Sequence, residues 1–135
     1  MSGVQVPPNC DLTLGMVVTD KSEPGRTRWQ MTADERFANP AGILQGGFLA
    51  AFCDSAMGAS AVTFALGRTA GKVSVANAEM KTSFLAPVEI GTVLTCEATV
   101  VSGGARVAFV EASVTDASGR LVGRASSTYV MTPRE

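Results

Sequence analysis

Between Arg36 and Arg68 the chain carries one charge, Asp54, inside a run of apolar and small residues that opens with Asn39-Pro40-Ala41-Gly42-Ile43-Leu44-Gln45-Gly46-Gly47. A carboxylate in such company must be paired, protonated or put to use, because leaving it ionised and unpartnered in an apolar interior is costly. The plain alternative is a mid-helix aspartate satisfied by Ser55 or by a partner subunit, with no chemistry. The chain has no histidine. That removes Ser-His-Asp and Cys-His catalysis, imidazole metal ligands, and histidine as a general base. Any catalyst must work with carboxylates, amides, hydroxyls or backbone dipoles. Cys53 adjoins Asp54, but nothing basic lies near it to lower a thiol pKa, so it reads as a core residue.

The elements that must hold Asp54 follow from periodicity. Residues 1–10 read as a flexible arm and residues 11–133 as one domain. Loose apolar patterning from Leu12 to Val18 and the alternation Thr27-Arg28-Trp29-Gln30-Met31, separated by the turn-prone Ser22-Glu23-Pro24-Gly25, predict a first hairpin. Residues 32–37 form a polar connection with room for one helical turn. A long helix starts around Gln45 to Gly47 and runs to Phe64 or Leu66; being apolar nearly all round, it belongs inside something. After the turn at Gly67-Arg68-Thr69-Ala70-Gly71 the texture alternates. Ala76, Ala78, Met80 and Phe84 are assigned to one face of a strand, with Asn77, Glu79, Lys81 and Ser83 on the other. Pro87 ends it. Three further strands are marked by Leu94, Cys96, Ala98 and Val100, by Ala108, Val110, Ala112 and Val114, and by Leu121 to Met131. Every apolar strand face needs a partner, and a single helix supplies one only if the sheet curls around it, an α+β arrangement.

Composition bounds the function. The 135 residues suffice for one domain. Eleven Lys and Arg against twelve Asp and Glu give a net charge of -1, which leaves no electrostatic footprint for nucleic acid or an anionic membrane. Residues 43–66 are too rich in Gln, Gly, Ser, Thr and Asp54 for a membrane span. Cys10, Cys53 and Cys96 are odd in number and widely spaced, and no signal peptide is evident. They read as reduced core residues of a cytoplasmic protein, with neither a zinc site nor a redox motif.

Asn39, Gln45-Gly46-Gly47, Asp54 and Gly58, followed by the strand Asn77-Ala78-Glu79-Met80-Lys81-Thr82-Ser83-Phe84-Leu85-Ala86-Pro87, resemble the hotdog-fold acyl-CoA thioesterases. The nearest branch is the phenylacetate-pathway type, related to 4-hydroxybenzoyl-CoA thioesterases. The likeness runs from about Leu12 to Met131. The family pattern is Asn, then His-Gly-Gly six residues on, then Asp nine after the histidine; here Gln45 replaces the histidine, keeping a donor and losing the option of positive charge. The resemblance implies a hotdog fold, a curved antiparallel sheet around one long helix.

It also implies that the Gly46 amide polarises a thioester carbonyl while Asp54 of a second subunit acts as nucleophile or as base for water. Unpaired N–H groups and the positive dipole end at a helix start suit that first role, and glycine permits close approach. Asp54 lies eight residues after Gly46, roughly 12 Å along a helix, so one helix cannot bring both to one carbonyl, whereas two antiparallel helices of a symmetric dimer can. Asn39 would position water or steady the Gly46 loop. Gly47 and Asn77, the latter where many relatives have Thr or Ser, are substrate-binding candidates, as are Gly104 and Arg106 for CoA. Arg68 and Lys81 are further basic candidates. The implied substrate is an aromatic or medium-chain acyl-CoA, with coenzyme A as part of the substrate and no separate cofactor. The implied assembly is a homodimer with shared sites, paired into a tetramer. A non-catalytic acyl-CoA binder and a thioesterase acting on carrier-protein thioesters are the alternatives; hydratase chemistry in this fold relies on a histidine that is missing.

Overall fold

The structure, a computed structural model, describes residues 6–68 and 71–134. Six antiparallel strands form one sheet, and a single long helix lies in its concave side. The elements are α1 (Asn9–Leu14), β1 (Val17–Glu23), β2 (Arg26–Thr32), a 3-10 turn (Glu35–Phe37), α2 (Gly46–Leu66), β3 (Val73–Phe84), β4 (Val93–Gly103), β5 (Val107–Thr115) and β6 (Leu121–Pro133). The strand order is β1-β2-β4-β5-β6-β3, and α2 packs on all six strands. The expected curled α+β sheet is therefore what the chain forms.

Burial alternates along β4, β5 and β6, as period-two sequences require. Leu94, Cys96 and Ala98, then Ala108, Val110, Ala112 and Val114, then Val122, Ala125, Ser127, Tyr129 and Met131 face α2 and are buried. Hydroxyls pin the helix to the sheet. Ser60 donates to the Ala98 carbonyl at 2.8 Å, and Thr27 Oγ1 lies 2.8 Å from Ser60 Oγ and 3.1 Å from the Ala56 carbonyl. At the other end, the rings of Phe37 and Phe48 stack at 4.3 Å, fixing where the chain enters α2.

Four expectations are corrected. The N-terminal arm gives way to helix at Asn9, and its residues 1–5 lie outside those described. The apolar stretch before β1 is partly that helix: Gly15, at φ 70, caps it and turns the chain so that Leu14 and Met16 fold under. Cys10 is exposed on α1, so only Cys53 and Cys96 are core residues. The faces assigned to β3 hold only beyond its middle. A bulge between Asn77 and Glu79 shifts the pairing with β6, so Val73, Val75 and Asn77 point inward before it and Met80 and Thr82 after it, while Ala76 and Ala78 are exposed. One extra residue reverses side-chain parity. Thr69 and Ala70 of the turn after α2 also lie outside the described residues.

Candidate active site

Asp54 sits on the strip of α2 that the sheet leaves uncovered, with Ala51, Ser55, Gly58 and Val62 also short of full burial. It is exposed, not sunk in an apolar interior, and its partners come from its own chain. Oδ1 accepts from Tyr129 OH at 2.6 Å and from Asn77 Nδ2 at 2.9 Å. Asn77 Nδ2 is also 3.2 Å from Ser127 Oγ and 3.4 Å from Tyr129 OH. The β3 bulge makes this possible, because it turns Asn77 toward α2. Neither Ser55 nor a second subunit is needed to satisfy the charge, because Tyr129 and Asn77 of the same chain do so. Oδ2 has no partner among the described residues. The Tyr129 hydroxyl is held well above the usual tyrosine range, by burial first and then by the hydrogen bond to and charge of Asp54.

The start of α2 is built by its neighbours. Gln45 donates its backbone N–H to Phe37 at 2.9 Å and accepts from Phe48 at 3.0 Å. As N-cap residue it makes no side-chain cap bond, so the Gly46 and Gly47 amides have no acceptor among the described residues. Their lack of side chains has a local cause. A Cβ on Gly46 would stand 2.9 Å from Cε1 of Phe84, and one on Gly47 would stand 2.7 Å from Oε1 of Gln45. Beside Gly46 opens a cavity of about 440 Å³ lined by apolar residues, including Ile43, Leu49, Phe84, Pro87 and Val122.

Asn39 organises the approach. Its Oδ1 accepts from Ala41 at 2.9 Å and Ile43 at 3.3 Å, and its backbone N–H donates to Ile43 at 2.8 Å, an Asx-type turn that leads into the helix start.

The basic candidates lie elsewhere. Gly104 and Arg106 are in the β4–β5 hairpin, whose Gly103 abuts Phe64 near the C-terminal end of α2, so the chain does not bring them to Gly46 or Asp54. Gly104 and Arg68 line a cavity of about 320 Å³ with Lys72 and Arg134, two cations not singled out from sequence. Arg106 is not among its lining residues. Lys81 faces away from the helix beside Glu79 and Phe109. Cys53 is fully buried, and the Cys96 thiol is pushed up by its hydrogen bond to Cys53 and by burial, so neither reads as a nucleophile.

Sequence reasoning missed Tyr129 and Ser127. The signal was present: the chain's one tyrosine occupies an inward position of an alternating strand, and a buried tyrosine hydroxyl needs a partner. Phe84 was grouped with Ala76, Ala78 and Met80 on one strand face but not placed at the wall of a cavity beside Gly46.

Comparisons with known proteins bear on the site. The family model described as the thioesterase superfamily matches residues 41–123. A protein of Saccharolobus solfataricus named as a candidate esterase is 34% identical over 113 residues, covering 83% of this chain and 71% of that one. Human acyl-coenzyme A thioesterase 13 is 26% identical over 121 residues, covering 89% and 83%. Among solved structures, a phenylacetic acid degradation-related protein of Ralstonia eutropha superposes with a TM-score of 0.80 at 27% identity, covering 96% of this chain and 93% of its own. A thioesterase-type protein of Streptococcus pneumoniae, solved with coenzyme A, gives 0.78 at 19% identity, covering 89% and 88%.

Proposed function

The chain belongs to the thioesterase superfamily and is a thioester hydrolase of the hotdog fold, and from that premise we propose that it hydrolyses acyl-CoA thioesters with an aromatic or medium-length acyl group. The observation that carries this reading is the uncapped start of α2 at the mouth of an apolar cavity. An acyl group enters that cavity and its carbonyl oxygen meets the Gly46 amide, where the helix dipole stabilises charge developing on the oxygen. The carbonyl carbon is then attacked by Asp54 of a second copy, giving an anhydride that water cleaves, or directly by water that this carboxylate deprotonates. The carbon–sulfur bond breaks, the sulfur takes a proton from water or from the protonated carboxyl so that CoA leaves as the thiol, and the acyl group is released as the free acid.

Two features support the shared site. Gly46 and Asp54 are eight residues apart on one helix, about 12 Å, beyond joint contact with one carbonyl. β3, the strand carrying Asn77, is an edge of the sheet, open to a second copy that would set the two α2 helices antiparallel. Acyl-CoA is favoured over other thioesters by the human relative's name and by the coenzyme A bound to the Streptococcus pneumoniae protein. Asn39 steadies the loop before Gly46, and Gln45 occupies the family's histidine position with its amide against Gly47.

The test is release of free thiol from a panel of acyl-CoAs by the native chain and by Asp54→Asn. The native chain should turn over apolar acyl-CoAs, and the variant should bind them with little turnover. Binding without turnover by the native chain would leave it a non-catalytic acyl-CoA binder. Turnover of carrier-protein thioesters alone would move the substrate class.

A further inference from the structure

Asp54 is held asymmetrically. Both of its side-chain hydrogen bonds fall on Oδ1, from Tyr129 OH at 2.6 Å and from Asn77 Nδ2 at 2.9 Å, while Oδ2 is unengaged among the described residues. Free rotation of a carboxylate would make its oxygens equivalent; two donors on one of them remove that freedom. We propose that Tyr129 is a positioning residue, which with Asn77 clamps Oδ1 of Asp54 so that Oδ2 alone is presented for the reaction. The inference rests on the reading of Asp54 as the reacting carboxylate.

The clamp is built from the fold. Tyr129 is 2% exposed on the inward face of β6, and its ring crosses α2 at Gly58, where a Cβ would stand 3.6 Å from Cε1 of the tyrosine. Gly58 is one turn beyond Asp54, so a tyrosine lying there places its hydroxyl over the preceding turn, 2.8 Å from the Asp54 carbonyl oxygen as well. The 2.6 Å contact is in the range of a hydrogen bond to a charged acceptor. The phenol remains a donor through any working pH, since burial, Asp54 and, to a smaller extent, Cys53 all oppose its ionisation. It cannot act as the base itself. What the clamp supplies is geometry: a reacting atom misplaced by about 1 Å loses on the order of a hundredfold in rate.

In either version of the reaction Oδ2 is the atom that changes. It forms the bond to the acyl carbon, or takes the proton from water, while Oδ1 stays with Tyr129 and Asn77. The tyrosine touches no substrate.

Tyr129→Phe keeps the ring and removes only the hydroxyl. Thiol release from an acyl-CoA turned over by the native chain should show kcat lower by about tenfold to a hundredfold with KM within about twofold, and Tyr129→Phe/Asp54→Asn should be no slower than Asp54→Asn. Because this is the one tyrosine, tyrosinate absorbance read by stopped-flow pH jump, before unfolding, reports this hydroxyl alone. Tyrosinate should form at lower pH in Asp54→Asn than in the native chain. A native kcat in Tyr129→Phe with an inactive Asp54→Asn overturns the clamp and leaves the reading of Asp54 standing. An active Asp54→Asn overturns that reading and the clamp with it. Should Tyr129→Phe not fold, an unchanged tyrosinate profile in Asp54→Asn overturns the clamp by itself.

Discussion

Gly46→Ala separates two reasons for a glycine at the start of α2. The new Cβ would stand 2.9, 3.1 and 3.3 Å from three ring atoms of Phe84, against an optimum of about 3.5–4.0 Å for carbon pairs, so the ring must retreat by roughly 0.6–1 Å. Phe84 is 57% exposed and free to yield, so the stability cost falls near the low end of overpacking, about 1 kcal/mol. The cost to catalysis should be larger. The methyl occupies the approach of the thioester carbonyl to the amide, and losing one oxyanion donor costs about 10²–10³ in kcat, roughly 2.7–4 kcal/mol. The assay is a cycle of Gly46→Ala, Phe84→Ala and the double variant, with kcat and KM from thiol release and Tm from thermal unfolding. The double variant should recover the stability lost in Gly46→Ala and, relative to Phe84→Ala, should recover none of the kcat. Full recovery of kcat would show that Gly46 is there to make room for Phe84, and a normal kcat in Gly46→Ala would refute the amide's role outright.

Mixing unfolded Asp54→Asn and Gly46→Ala chains and refolding them together should yield about a quarter of native activity, because half of randomly paired dimers are mixed and each mixed dimer has one intact site of two; no activity above the separate variants would count against the shared site. Lengthening the acyl chain should raise kcat/KM by about fourfold per buried methylene, from about 0.8 kcal/mol each, until the cavity beside Gly46 is filled; a flat series measured by thiol release would place the acyl group elsewhere. Ser60→Ala strips the donor from the Ala98 carbonyl and a partner from Thr27 and should destabilise by about 1–3 kcal/mol in denaturant titration. For pH, the folded-state pKa of Tyr129 is raised. Its stabilisation is therefore full below the ordinary tyrosine value of about 10 and declines as pH rises above it, where the unfolded chain ionises first. Chemical unfolding should show a steeper alkaline loss in the native chain than in Tyr129→Phe.

Much of the fold was legible in the chain. The apolar run after Gln45 could only be a covered helix, and α2 spans Gly46–Leu66. The alternation of Leu94, Cys96 and Ala98 could only be a strand with one face inside, and it is. Asp54 stood out as the one charge between Arg36 and Arg68, and Asn39 and Gly46 were drawn to it by spacing within a recognisable pattern. Parity in β3 was not legible, because a bulge leaves no required residue type; Ala78 is as ordinary in a regular strand as beside an irregular one.

The sequence by itself bounded the kinds of chemistry open to the chain: without histidine, any catalyst is drawn from carboxylates, amides, hydroxyls and backbone dipoles, and Asp54 stood out among them. Only the tertiary structure decided what that carboxylate touches. Tyr129 and Asn77 are 75 and 23 residues away along the chain, and they reach Asp54 because β6 and β3 are neighbours in the sheet and β3 is bulged. Local pattern fixes which residues form an element and which face each one presents; contacts between elements distant in sequence depend on strand order and register, which the whole sheet settles at once by burying its apolar faces on α2.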